Sequence, residues 1–199
     1  MENLHLIVGL GNPGEEYALT RHNAGFRLAD ELAGRWKAKW AFEKKFNARL
    51  ARAESGGKRV LLCEPLSYMN VSGEVIRAVM DYFQVTPDHF LVAVDDADIP
   101  LGEIWLRSQG GAGGHHGLES IMLHLGSKQF GRLRMGIGRT LDGRREITGH
   151  VLGAFSRAER DLFEKVLSRA ADQVECWLAS GLQKAMNQFN GVLDSGETK

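Results

Sequence analysis

Four short stretches of the chain combine glycine-rich turns with side chains suited to acyl chemistry. Ester hydrolysis needs a water molecule activated near neutral pH, and imidazole, with an ordinary pKa of about 6.5, suits that task. His22 is therefore a candidate general base, and a carboxylate on its other ring nitrogen would fix its tautomer. The four stretches read GNPG with TRHN (residues 11–14 and 20–23), SYMN (67–70), VAVDDADIPLG (92–102) and GGAGGHHG (110–117).

Carboxylates for that role are grouped at the end of one predicted strand, at Asp95, Asp96 and Asp98. By residue type alone, this group also fits a metal site, a turn cap or a solvated edge. Asparagine amides can donate to a carbonyl or a developing oxyanion, and Asn12 and Asn70 each follow a predicted strand. Because sites in open α/β sheets gather beyond the carboxyl ends of strands, we expect one shared cleft.

The elements that must position these residues follow from apolar periodicity. A long helix should begin at Ser156, since Ser156 and Glu159 have the spacing of a capping box, with Leu162, Val166, Ala170 and Val174 on its buried side. Gly181 should interrupt it before a last helix ending near Asn190. Strands are predicted near 4–10, 45–53, 58–64, 89–95, 102–107 and 131–138, and further helices near 23–37, 72–84 and 117–125.

This alternation of strands and helices predicts one α/β domain over residues 1–190, with a twisted mixed sheet flanked by helices. The sequence ESGGKR between the second and third strands is a plausible hairpin turn. Residues 191–199 form a polar tail.

The first loop also has the glycine spacing G-x-G-x-x-G of a dinucleotide-binding turn, over residues 9–14. That motif needs its third glycine at the start of a helix and an acidic residue at the end of the next strand. Here the predicted helix begins only near Asn23, Asp30 and Glu31 lie inside it, and Pro13 removes an N–H from the turn. A tight structural turn, or one that presents Asn12, is favoured over a dinucleotide site.

Composition restricts the partners and the compartment. The 199 residues include 25 basic and 25 acidic side chains, so a nucleic-acid partner would have to bind a local basic patch. No apolar run approaches the ~20 residues that span a membrane, and the N-terminal sequence MENLHLIV lacks the features of a signal peptide. Cys63 and Cys176 are expected to be buried free thiols, which fits a cytoplasmic protein.

A local basic patch is available between the fifth strand and the loop after the sixth. Its arginines are either solvated edge charges or a phosphate-binding surface beside the cleft. They are Arg107, Arg132, Arg134, Arg139, Arg144 and Arg145.

Taken together, the motifs resemble those of bacterial peptidyl-tRNA hydrolases, in the same order and with the same spacing. The resemblance extends from Leu4 to about Asn190 and covers nearly the whole chain. The stretches that carry it are LIVGLGNPGEEYALTRHNAG, SYMNVSGE, VDDADIPLG, GGAGGHHGLESI, FGRLRMGIGR and HVLGAF.

This resemblance implies cleavage of the ester that joins a peptide to the 3′-terminal ribose of tRNA. It places the catalytic histidine at His22, the histidine-orienting aspartate at Asp95, and the substrate- and water-positioning asparagines at Asn12 and Asn70. It also implies attack by water without a covalent intermediate, and no cofactor or metal. The side chains that it places along the cleft are Tyr17 and Met69.

The resemblance further implies that peptidyl-tRNA is bound through its 3′ CCA end, acceptor stem and 5′ phosphate. The pair of basic residues that holds the 5′ phosphate falls on Arg107 and Arg134, whereas Trp105 stands where another basic residue is common. Recognition should favour backbone shape and the single-stranded 3′ end over base sequence. A monomer with no membrane association is expected.

The glycine loop departs from the family pattern at His116, where asparagine is usual. Imidazole can still donate a hydrogen bond, but it is bulkier and titratable, so we expect retained hydrolysis with altered peptide contacts and added pH sensitivity. Adjacent histidines point apart on most backbones, which disfavours a zinc site on His115 and His116.

Two other functions remain as alternatives. One is a non-catalytic RNA-binding relative of the same architecture, similar to a group II intron splicing factor of plant organelles. The other is the dinucleotide oxidoreductase suggested by the first loop. Retention of His22, Asp95, Asn12 and Asn70 favours the hydrolase, because RNA binding alone would not need that set.

Overall fold

The computed structural model describes residues 3–139 and 147–193, in which eight strands form one mixed sheet. Its order is β2-β3-β4-β1-β5-β7-β6-β8. The central strands β4, β1, β5 and β7 are parallel, and the pairs toward both edges are antiparallel. The strands are β1 (His5–Gly9), β2 (Ala41–Glu43), β3 (Ala48–Ser55), β4 (Lys58–Pro65), β5 (Phe90–Asp96), β6 (Glu103–Gln109), β7 (Gln129–Gly136) and β8 (Gly191–Val192).

Helices cover both faces of this sheet because successive side chains of its central strands alternate between two apolar cores. Ile7 and Leu62 pack in one core with α1 and α5, and Leu6 and Leu61 pack in the other with α2 and α3. The helices are α1 (Ala24–Arg35), α2 (Ser72–Phe83), α3 (His116–Leu125), α4 (Ile147–Val151), α5 (Arg157–Ser180) and α6 (Leu182–Phe189). No helix in the described ranges is both long and apolar enough to cross a membrane.

Helix α1 approaches the sheet at main-chain distance. A Cβ added at Gly25 would lie 2.3 Å from the Leu10 nitrogen and 2.4 Å from the Ala93 oxygen. The Phe26 N–H donates to the Leu10 carbonyl at 3.2 Å. Only glycine permits this approach, which fixes the start of α1 beyond the carboxyl ends of β1 and β5.

The predicted α/β class and mixed sheet are confirmed, and all six predicted strands exist with boundaries shifted by a few residues. The hairpin turn is confirmed at Gly56 and Gly57, both with positive φ. The long helix begins with the expected capping box at Ser156 and ends at Gly181. Both cysteines are free thiols, Cys63 buried and Cys176 half-buried.

Several elements differ from the sequence predictions. The edge strands β2 and β8 and the five-residue helix α4 were not predicted. Gly191 and Val192, in the predicted tail, pair with β6, and residues 194–199 lie outside the described part of the chain. The prediction that Leu162 faces the core was wrong: its side chain is exposed, and Phe163 is buried instead.

Candidate active site

An imidazole and a carboxylate meet where β5 ends. Residues 20–23, which we call the hook, follow the loop after β1 and carry His22 on a single 3-10 turn. Its Nδ1 lies 2.9 Å from Oδ1 of Asp95, and both side chains are largely buried. With Asp95 ionised, Nδ1 carries the ring proton. Nε2 therefore keeps a lone pair that can accept a proton from water. The two stretches, far apart in sequence, thus form a base and the group that orients it.

A second histidine contacts the same carboxylate oxygen, which the sequence did not predict. Nε2 of His115 lies 3.1 Å from Asp95 Oδ1. Its Nδ1 accepts from the Leu118 N–H at the start of α3, at 3.4 Å, so Nε2 carries the proton and donates to Asp95. The available signal was the position of His115 in the glycine loop after β6. The direction in which the His115 side chain points, however, depends on how that loop folds.

These contacts determine the ionisation of Asp95. Burial alone would raise its pKa, but the charge and hydrogen bonds of His115 and then His22 hold the pKa well below its usual range. Asp95 therefore remains a carboxylate wherever a histidine titrates. It can stabilise the imidazolium that forms when His22 takes a proton.

Asn12 ties the first loop to the loop after β4. Its Oδ1 accepts from the Met69 N–H at 2.9 Å, and its main chain makes two hydrogen bonds with the side chain of Asn23, at 2.8 and 3.0 Å. The Asn12 oxygen is therefore occupied, and its NH₂ group is the part available to a ligand. The Asn70 side chain is exposed and has no hydrogen-bond partner among the described residues, which leaves its whole amide available.

These side chains surround one cavity of about 530 Å³. Of the predicted site residues it brings together His22, Asp95, Asn12, Met69, Asn70, His116 and Arg134. Tyr17 is not among the described residues that line it, because Tyr17 lies on the separate single turn Glu15–Tyr17. Tyr68, which the sequence analysis did not select, lines the cavity instead. The cavity is polar at the base and bounded by apolar side chains, including Val151 and Leu152.

The arginines of the predicted basic patch fall into two groups. Some have guanidinium groups that other residues hold, and others have guanidinium groups that a ligand can contact. Arg134 donates to Asp96 Oδ2 at 2.8 Å and to the Gly111 carbonyl at 2.6 Å. Arg107 is exposed and stacks on the Trp105 ring, 4.8 Å from its centroid. Its guanidinium therefore remains available to a phosphate. Both arginines border a second cavity of about 440 Å³ beside the first.

The other arginines of the patch are engaged or not described. Arg132 is buried and donates to the carbonyls of Gly110 and Lys128, at 2.5 and 2.7 Å. Burial and the neighbouring charge of Arg134 lower its pKa to about 10. Arg139 pairs with Asp98 at the cavity rim. Arg144 and Arg145 lie outside the described residues.

One cluster in the described ranges has metal-ligand chemistry, since ligand atoms of His22, Asp95 and His115 lie within 4.8 Å of one another. Its groups satisfy one another through hydrogen bonds, however. The Nε2 proton of His115 is fixed by the hydrogen bond that its Nδ1 accepts from Leu118. A metal would have to displace that proton and break the helix cap, so the donor set fits a hydrogen-bonded base better than a metal site.

An oriented imidazole and two asparagine amides at the carboxyl edge of an α/β sheet are suited to a hydrolytic enzyme in which an imidazole activates water. The sequence profile of one family of such enzymes, peptidyl-tRNA hydrolase, matches residues 6–197. This chain belongs to the peptidyl-tRNA hydrolase family.

The chain is similar in sequence to known proteins over almost its whole length. The chain is 50% identical to the peptidyl-tRNA hydrolase of Synechococcus sp. (strain JA-3-3Ab), covering 97% of this chain and 85% of that one. It is 46% identical to that of Geobacillus kaustophilus, covering 94% and 100%. The crystal structure of the Acinetobacter baumannii peptidyl-tRNA hydrolase superposes with a TM-score of 0.89 at 39% identity, covering 96% and 97%. A purine nucleoside phosphorylase from Toxoplasma gondii shares only the fold, with a TM-score of 0.50 at 7% identity.

Proposed function

We propose that this hydrolase cleaves the ester between the peptide and the 3′-terminal ribose of peptidyl-tRNA, with His22 as the general base. The observation that carries the proposal is the 2.9 Å contact between His22 Nδ1 and Asp95 Oδ1 at the base of a cavity lined by amides. The products are free tRNA and a peptide with a new carboxyl group.

The proposed reaction conserves protons within the site. Nε2 of His22 takes a proton from water as the water oxygen attacks the ester carbonyl, and Asp95 stabilises the imidazolium. The amide of Asn70 donates to the oxyanion that develops on the carbonyl oxygen. When the tetrahedral species collapses, the imidazolium returns its proton to the departing 3′-oxygen of the ribose. No bond forms between protein and peptide.

The remaining polar groups of the site are proposed to bind the substrate. The NH₂ group of Asn12 contacts the terminal ribose or the attacking water, and Met69 and Tyr68 provide the apolar walls for the terminal adenosine or the last amino acid. His116 contacts the peptide from the opposite loop. Tyr17 lies outside the lining of the cavity and does not take part in these contacts.

For the tRNA body, we propose that Arg107 contacts the 5′ phosphate. Arg134 contributes its charge while holding Gly111 in place. Trp105 lies opposite Arg134 on the neighbouring strand, and its ring stacks against the Arg107 guanidinium. This surface adjoins the catalytic cavity, so that one ligand can reach both.

We further propose that residues 1–190 act as one domain, and that the enzyme works as a cytoplasmic monomer without cofactor or metal. Its two cysteines are free thiols, which suits a reducing compartment. Sedimentation of the purified chain checks the oligomeric state, and hydrolysis in excess EDTA checks metal independence.

The test is hydrolysis of N-acetyl-aminoacyl-tRNA, with EDTA present, by the parent, by His22→Asn and by His89→Asn. His89 lies just before β5, at the opposite end of the sheet from the cavity, and serves as the matched histidine control. We expect His22→Asn to lose on the order of 10²–10⁴-fold in kcat, and His89→Asn to stay near the parent. Parental activity in His22→Asn would refute the assignment of the base.

The same assay separates the alternatives. A non-catalytic RNA-binding relative would retain tRNA binding but leave the ester intact in every variant. A dinucleotide enzyme is not favoured, because Gly14 is followed by the turn Glu15–Tyr17 and α1 begins only at Ala24.

A further inference from the structure

Arg21, the neighbour of the proposed base, joins the hook to the start of α5. Its side chain is only 10% exposed and does not border the catalytic cavity. Nη2 donates to both carboxylate oxygens of Glu159, at 3.2 and 3.0 Å. Both contacts come from one guanidinium nitrogen, and the opposite charges of the two side chains strengthen them.

The same residue holds residues 149–155, which we call the wall segment. The Arg21 N–H donates to the Gly153 carbonyl at 3.0 Å, and Nη1 donates to the His150 carbonyl at 3.4 Å. The guanidinium also lies over the ring of Phe155, 5.1 Å from its centroid. A Cβ added at Gly153 would lie 3.0 Å from Nη1, so the segment is shaped around this side chain.

The wall segment reaches the cavity itself, because Val151 and Leu152 line it together with His22. The hook and the wall segment are also joined by a single β-bridge between Thr20 and Ala154. One arginine therefore contacts both the turn that carries the base and the segment that bounds the substrate.

The partner of Arg21 is itself held in place. Glu159 Oε2 accepts from the Ser156 N–H at 2.7 Å as part of the capping box of α5. Burial would raise the pKa of Glu159, but hydrogen bonds from Ser156 and Arg21 and the charge of Arg21 lower it. The ion pair is therefore anchored to a 24-residue helix packed on the sheet, not to a mobile side chain.

We infer that Arg21 is a positioning residue: its ion pair with Glu159, together with its contacts to the wall segment, sets the orientation of His22 and the position of that segment. The inference rests on the proposed role of His22 as the base. If Arg21 sets both His22 and the wall segment, loss of the ion pair lowers the rate of the chemical step and weakens substrate binding together. A displacement of about 1 Å can cost on the order of 100-fold in rate.

The experiment compares Arg21→Gln, Arg21→Lys and Glu159→Gln with the parent, using kcat and KM for N-acetyl-aminoacyl-tRNA normalised to folded protein. Glu159→Gln keeps an acceptor for the cap at Ser156 and removes only the charge. Glu164→Gln is the matched control, because Glu164 also lies on α5 but pairs with Arg27. A second readout is the NMR resonance of the His22 Nδ1 proton that faces Asp95, which needs no substrate.

We expect Arg21→Gln to lower kcat at least about 10-fold and to raise KM. Arg21→Lys should recover part of the loss in kcat and part of the rise in KM. Glu164→Gln should match the parent in both quantities. The double variant Arg21→Gln with Glu159→Gln should be no worse than Arg21→Gln alone, because both remove the same contact. The His22 resonance should broaden or shift in the Arg21 and Glu159 variants only.

Parental kcat and an unchanged His22 resonance in Arg21→Gln would overturn the inference. So would equal losses in Glu159→Gln and Glu164→Gln, because the effect would then come from the charge of the helix. If the parent itself fails to hydrolyse the ester, the proposed function fails, while the NMR comparison still decides whether Arg21 orients His22.

Discussion

His22 and His115 donate hydrogen bonds to the same oxygen atom of Asp95, at 2.9 and 3.1 Å, with ring centroids 5.0 Å apart. One imidazole comes from the hook and the other from the glycine loop. The carboxylate thus links two loops that both border the substrate cavity, and its orientation depends on both.

The first prediction concerns His115. Replacing it with glutamine exchanges the ring for a flexible amide and weakens one of the two hydrogen bonds that orient Asp95, and through Asp95 the ring of His22. We expect kcat/KM at neutral pH to fall about tenfold, less than in His22→Asn. The control is His124→Gln on the same helix, whose imidazole contacts the Ser120 carbonyl instead. Equal values for the two variants would show that His115 has no part in holding Asp95.

The second prediction concerns Glu64, which is fully buried on β4 and 2.9 Å from Arg49. Burial, and then the charge of Asp30, raise its pKa to about 8. A raised pKa contributes stability that is complete below the unfolded value of about 4.3 and is lost as pH rises through about 8. Glu64→Gln should therefore be more stable than the parent at pH 9, on the order of 1–3 kcal/mol, with the advantage shrinking toward pH 5.

Denaturant unfolding between pH 5 and pH 9 measures this difference. The exposed Glu54 on β3 provides the comparison, because Glu54→Gln makes the same substitution outside the core. A difference between Glu64→Gln and the parent that does not change with pH would show that Glu64 is already ionised in the folded protein near pH 5.

The third prediction separates the proposed roles of Arg107, which contacts the 5′ phosphate, and Arg134, which holds the glycine loop. Arg107→Gln should raise KM and reduce the slope of log affinity for tRNA against log salt by about one. Among the described residues its guanidinium contacts only the Trp105 ring, so kcat should hardly change. Arg134→Gln should also lower kcat, because it releases Gly111 of the glycine loop. Arg77→Gln on α2, paired with Asp81, is the control for a generic loss of charge. An unchanged salt slope in Arg107→Gln would remove it from the contact.

The fourth prediction concerns His116. Its Nδ1 lies 3.0 Å from Glu119 Oε2, and the side chain is 71% exposed at the cavity. In the neutral ring Nδ1 then carries the proton, so Nε2 accepts hydrogen bonds and becomes a donor only when the ring is protonated. We expect His116→Asn, which donates at every pH, to lower KM about threefold at pH 8 but not at pH 5.5. Identical KM profiles over that range would reject a substrate contact by His116.

Local sequence signals predicted those parts of the fold that local interactions determine. Ser156 and Glu159 predicted the start of α5 from their spacing alone, and the capping box is present. The further contact of Glu159 with Arg21 joins residues 138 positions apart and has no local signal. The edge strands are only two and three residues long, too short to show a periodicity.

The site was predicted only in part for similar reasons. His22, Asp95, Asn12 and Asn70 follow strand ends, and the sheet brings these ends together. The contact of His115 with Asp95 depends on the path of the glycine loop, which the sequence leaves open. On α5, Leu162 was expected on the buried side because it lies four residues before Val166. Phe163, which is the buried residue, lies three residues before Val166, and both spacings fit a period of 3.6.

The crossing of α1 over the sheet has a consequence for anyone who wishes to redesign this enzyme. Gly25 touches Leu10 and Ala93 through main-chain atoms, and Gly9 touches Gly25 in the same way, so the close approach of α1 beneath the hook depends on glycine at both positions. Tyr68 and Leu152 line the cavity but take no part in this contact, so they can be exchanged to admit other acyl esters without disturbing it. Gly9 and Gly25 are positions in this contact that such a library must leave untouched.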